Sequence, residues 1–84
     1  MTTYKETILR YRVMRHDDLP EAHKAEYRAM GIDPDDVWSL IWSFADLKNA
    51  ESCLAREQEE APNWRTYKLV DAGAAEVIER EAWF

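Results

Sequence analysis

The chain has 84 residues, 46% of them apolar, and a formal net charge of −6. That length makes one domain, the acidity disfavours direct contact with nucleic acid, where phosphate neutralisation dominates affinity, and a single cysteine, Cys53, excludes an internal disulfide. No stretch approaches the roughly 20 apolar residues of a membrane span, and the first residues contain no apolar run of signal-peptide length, so the expected location is a reducing cytoplasm.

The charge is unevenly placed. Residues 1–30 carry six basic and five acidic side chains, and residues 31–84 carry five and twelve. An acidic C-terminal two-thirds behind a balanced N-terminal third repels nucleic acid and attracts basic surfaces.

From Tyr4 to Arg15 the pattern has period two, with Thr7, Leu9, Tyr11 and Val13 on one face and Glu6, Ile8, Arg10, Arg12 and Met14 on the other. This predicts a strand. Asp17–Glu21 then reads as a helix start: Asp18 can cap, Pro20 suits the first turn, and Glu21 completes a capping box. The helix is expected to run to Met30, with Gly31 as a left-handed terminator and Ile32 folding back on the last turn. Its apolar face (Leu19, Ala22, Ala25, Ala29, Met30) is thin, so it is expected to pack on one side only.

Val37–Phe44 fits either a strand or a helix opened by Asp33-Pro34-Asp35-Asp36. Its aromatic and β-branched residues favour the strand. Asp46 can cap a second helix, Leu47–Glu60, with Leu47, Ala50, Cys53 and Leu54 inward and charges outward. Ala61-Pro62-Asn63 ends it. Trp64–Val70 alternates again, Asp71-Ala72-Gly73 makes a turn, and Glu76–Phe84 returns as a last strand. The expected fold is therefore a single α+β domain of order β-α-β-α-β-β. Two helices lie beside a sheet of about four strands, with an antiparallel C-terminal hairpin.

Site chemistry is sparse. His16 and His23 read as a strand-end and a solvent-facing helix histidine, and they lack the i, i+4 spacing that brings two rings to one metal. Asp33-Pro34-Asp35-Asp36 lacks the Gly and Glu that a calcium loop needs, since those positions hold Trp38 and Phe44. Cys53 falls on the inward helix face and reads as a small core hydrophobe rather than a nucleophile. Ser39, Ser43 and Ser52 have no nucleophile-elbow context, and two glycines cannot build a phosphate loop. These features give no catalytic residue, cofactor or metal ligand. Lys5, Arg10, Arg12 and Arg15 could form a basic stripe for nucleic acid. A cross-strand ladder with Glu76, Glu79 or Glu81 is the duller reading and the favoured one.

Four Trp, four Tyr and two Phe are a heavy aromatic load for this length. The structural reading is a core filled by Trp38, Trp42 and Phe44. The functional one is an exposed aromatic patch ringed by acids, the composition of a protein-binding hot spot. Terminal Trp83 and Phe84 favour the second, because chain ends fray unless docked.

The expected function is that of a non-enzymatic acidic module that binds a basic protein surface, such as that of a nucleic-acid-binding complex, and not nucleic acid or membrane directly. Glu51, Glu57, Glu59, Glu60, Asp35 and Asp36 are the candidate steering carboxylates, and Trp64, Trp83 and Phe84 the candidate anchors. Small acidic inhibitors of the anti-CRISPR or anti-defence type, made by phages and mobile elements, have this profile of size, charge and missing chemistry. Carboxylates spaced along one helix face would occupy a Lys/Arg groove meant for phosphates. The alternative is a homodimeric accessory or structural protein that buries its aromatic sheet face or an edge strand, with acidity conferring only solubility.

Overall fold

Strand-forming sequence at the two ends of the chain is brought together across the whole length of the protein. The computed structural model describes residues 2–82. It contains β1 (Thr2–Ile8), β2 (Tyr11–Asp17), α1 (Glu21–Ala29), a 3-10 turn (Pro34–Asp36), β3 (Ser39–Phe44), α2 (Leu47–Glu60), β4 (Arg65–Asp71) and β5 (Glu76–Ala82). The α+β class, the two helices and their order along the chain agree with the sequence reading. The expected first strand is divided at Leu9–Arg10 into two.

All pairing is antiparallel. β2 lies between β3 and β4 in a three-stranded sheet, and β1 pairs with β5 in a two-stranded ribbon. The two expected C-terminal strands are present as β4 and β5. Each takes its ladder partner from the N-terminal segment: Asp71 stands opposite Tyr11, and Glu76 opposite Ile8. The Asp71–Gly73 turn therefore does not reverse the chain. It forms a kink, with Ala72 N–H donating to Arg10 O at 3.0 Å, and β5 goes on to pair with β1 instead of returning along β4. The reason is local: two residues, Leu9 and Arg10, face four, Ala72–Ala75, and the excess bends the ladder as a bulge does. Gly73 supplies the positive φ of 83° that this corner needs.

Val37–Phe44 resolves in favour of the strand over Ser39–Phe44, with a register shift opposite Val13/Met14. The acidic run before it becomes the 3-10 turn, capped by Asp33, whose carboxylate accepts from Asp35 N–H at 3.0 Å. α2 has the expected bounds and cap, with Asp46 accepting from Lys48 N–H at 2.9 Å. It covers one face of the three-stranded sheet. Val13, Cys53 and Tyr67 form the core there, with Ile41, Phe44, Leu54, Ala61 and Leu69 packed around them. Leu47, expected inward, is exposed.

The tryptophans stand outside that core. Trp42 and Trp64 are 52% and 47% exposed. Trp38 is half-buried on the face of the sheet away from α2, its ring beside His16 and under Lys68 Nζ at 4.0 Å. Of the expected Trp38, Trp42 and Phe44, only Phe44 packs on the core, and Tyr67 is its buried aromatic, because the inward positions of β2 and α2 are Val13, Ala50 and Cys53.

α1 buries no residue and rests chiefly on the 3-10 turn rather than on the sheet. Of its expected apolar face, Ala22, Ala25 and Ala29 are exposed and Met30 is 65% exposed, and the half-buried Tyr27 takes the contact instead. Its end is the expected glycine motif: Gly31 (φ 77°) donates to Arg28 O and Ile32 to Tyr27 O. Its start is not the expected capping box. Pro20 occupies the cap position without a side-chain hydrogen bond. Asp18 lies two residues too early and pairs with Lys24 at 2.8 Å, while Glu21 pairs with Arg28.

Candidate partner-binding surface

β2 ends, and β3 and β4 begin, at the same end of the three-stranded sheet, where Arg65 stands opposite Asp17 and Ser39 opposite Arg15. The 3-10 turn leads into β3, and the last turn of α2 leads into β4, so both are delivered to that end. The segments that carry Asp35, Asp36, Glu57, Glu59, Glu60 and Trp64 therefore all lead into that end, although they span thirty positions of sequence.

The platform under them is ion-paired. Arg65 Nε donates to Asp17 Oδ1 at 2.7 Å, and this hydrogen bond holds the Asp17 carboxyl below its ordinary pKa against the cost of its partial burial. Asp18 N–H donates to Trp64 O at 2.8 Å. The Lys24 ammonium sits 2.8 Å from Asp18 and 3.6 Å from Asp35, its pKa raised chiefly by the hydrogen bond to Asp18. The guanidinium of Arg65 lies 4.7 Å from the Trp64 ring centroid, fixing one side of an otherwise exposed indole. A recess of about 110 Å³ beside this platform, lined by Arg15, Asp17, Leu19, Tyr27, Pro34, Val37 and Ser39, is smaller than ligand pockets usually are.

Above the platform the charge is uncompensated. Among the described residues, none of Asp36, Glu57, Glu59 and Glu60 is in an ion pair, whereas Arg10, Arg12, Arg15, Lys24, Arg28, Arg65 and Arg80 all are. The last turn of α2 holds no basic residue. Its three glutamates sit at the negative end of the helix dipole, the end that favours cations.

The candidate residues do not form the row that the sequence suggested. At 3.6 residues per turn, Glu57 and Glu60 follow Ala50 and Cys53 on the side toward the sheet, and Glu59 lies on the far side. Glu57 is accordingly half-buried, while Glu59 and Glu60 are exposed. Glu51 is six residues up the helix, roughly 9 Å away at 1.5 Å per residue. Asp35 is partly neutralised by Lys24. Trp83 and Phe84 lie outside the described residues. The α2 carboxylates thus crown a helix end rather than lining a face, and Glu57, Glu59, Glu60 and Trp64 are the candidates that the α2–β4 connection keeps close together.

The arginines of the basic stripe are ion-paired, but of the expected ladder only Arg12–Glu76 forms as a salt bridge, since Arg15 turns to Asp17. Arg12 lies 3.7 Å from Glu76, Lys5 stands opposite Glu79, and Arg10 makes two hydrogen bonds to Asp71. His16 Nδ1 donates to Val37 O at 2.8 Å, and His23 is exposed on α1. Cys53 is buried in the core. The dipole conflict at the end of α2 does not show in charge or periodicity, and its signal in the sequence is three glutamates in the last four helical positions. No helix among the described residues is long and apolar enough to cross a membrane. Comparison with protein families, with curated proteins and with solved structures finds no match to the chain.

Proposed function

We propose that the chain is a non-enzymatic acidic protein-binding module that docks the end of its sheet on a basic protein surface, of the kind that nucleic-acid-binding machinery presents. The observation that carries this reading is the last turn of α2. Three carboxylates without cations crowd the helix end where they destabilise most, beside an exposed and propped tryptophan. A site that costs its own helix stability is complementary to a Lys/Arg cluster, which relieves the repulsion on binding. Trp64 supplies the apolar anchor inside that charged ring. The biological setting that suits it is an inhibitor of the phage or mobile-element type, one that covers the surface where host machinery holds DNA or RNA.

The test is capture from host lysate by the immobilised protein and by its Glu57→Lys/Glu59→Lys/Glu60→Lys variant, each eluted with a salt gradient. The expected result is a basic nucleic-acid-binding partner released from the wild type at moderate salt and not retained by the variant. Retention that is indifferent to salt, or equal for the two proteins, sinks the reading.

A further inference from the structure

The β1–β5 ribbon is too exposed to be finished. A two-stranded ribbon is marginal alone in water, and a third strand or a covering element is the usual remedy. Here Thr2–Thr7 are all exposed on β1, and on β5 only Ile78 and Ala82 are even half-buried. Val77 is 66% exposed. The surplus shows in the whole molecule. Its accessible surface is 6220 Å², against roughly 5,200 Å² for a compact monomer of this mass.

We infer that the ribbon is completed by a second copy of this chain, joined antiparallel through the outer edges of the two β5 strands with Ile78 on the twofold axis. β5 has β1 as its only ladder partner among the described residues, so its other edge offers free backbone donors and acceptors. It has neither proline nor lysine, and its four charged residues, Glu76, Glu79, Arg80 and Glu81, are of both signs, so they guard the edge only against a partner whose charges do not match. Its side chains choose the register. With Ile78 facing itself, each Glu76 stands opposite Arg80 of the other copy, and the two Val77 side chains become diagonal neighbours. With Glu79 or Arg80 on the axis, like charges face one another. Arg80 is already held by Glu6 of its own ribbon, so in the dimer it lies between two carboxylates. The four strands β1-β5-β5-β1 then form one sheet.

This surface is separate from the acidic end. The ribbon leaves the sheet beside Tyr11 and Asp71, and the cluster sits at the Asp17 and Arg65 end, so the two sites can be occupied together.

Three proteins test the proposal, with circular dichroism checking that each is folded. Sedimentation equilibrium of the wild type is expected to give a mass that rises from monomer to dimer with concentration. Ile78→Cys is expected to form a disulfide-linked dimer on mild oxidation, since Cys53 is buried and does not compete. Ile78→Lys places two ammonium groups on the axis and is expected to raise the dimer dissociation constant about tenfold or more. A wild type that stays monomeric up to its solubility limit overturns the inference. So does a dimer that Ile78→Cys fails to cross-link or that Ile78→Lys leaves intact.

Discussion

Val13 is the largest fully buried side chain among the described residues. It is fully buried between Cys53 and Tyr67. Val13→Ala should lower the unfolding free energy by about 2 kcal/mol, read from a urea titration at constant m-value. Cys53→Ser places a hydroxyl in the same apolar contact and should cost about 1–3 kcal/mol, whereas Cys53→Ala should cost less. Asp71 is the residue most committed to its charge. Two hydrogen bonds from Arg10, and a third from Gly73 N–H, bring its pKa down to about 2. Asp17, Asp18 and Glu21 are lowered as well, by hydrogen bonds from Arg65, Lys24 and Arg28 respectively. A folded pKa below the unfolded one means that the unfolded chain binds protons first. Stability from these pairs is therefore whole above about pH 4.5 and drains as the pH falls toward about 2. The thermal midpoint should be level between neutrality and about pH 5, then drop. A midpoint unchanged at about pH 3 would show that the pairs contribute nothing to stability.

Elements with punctuation of their own were legible from sequence. Asp46 opens α2 and Pro62 follows its end, and Gly31 closes α1 with the two hydrogen bonds its left-handed φ allows. No atom lies within 4 Å of a Cβ added at Gly31, so the cost of Gly31→Ala is backbone strain alone, about 1 kcal/mol. The start of α1 departs from the capping box that the spacing of Asp18 and Glu21 suggests, because Pro20 fixes the entry of the helix and the strand end holds Asp18 against Trp64. At the end of α2 the helix rules and the proposed site pull in opposite directions, and that conflict can be measured. Glu59→Lys and Glu60→Lys complement the dipole and should each stabilise the protein by about 0.3–1 kcal/mol. The same changes should weaken partner capture. A variant that melts higher and binds worse separates a functional cluster from a merely solubilising one, which would gain stability and lose nothing.

At the scale of the whole molecule, pairing is what alternation alone could not reveal. β4 and β5 both have period two and a turn between them, and a hairpin satisfies that pattern as well as a kinked ribbon does. What decides is the count at the corner, two residues against four, together with the match of Lys5 to Glu79 across nearly the full chain length. The result is an extended shape, with a radius of gyration of 15.3 Å where about 12 Å is usual for this length. The two sheets should therefore differ in backbone protection. Val13 and Tyr67 amides lie under α2 and should exchange only on global unfolding, while amides of β1 and β5 open locally. If a second copy covers β5, those β5 amides that point outward from the ribbon become hydrogen-bonded only in the dimer. Their exchange should slow as protein concentration rises, and amides of β2 should not respond. Protection in β5 that is low at every concentration would leave the ribbon an open edge, and protection that is high even in dilute solution would mean the ribbon is stable without a partner.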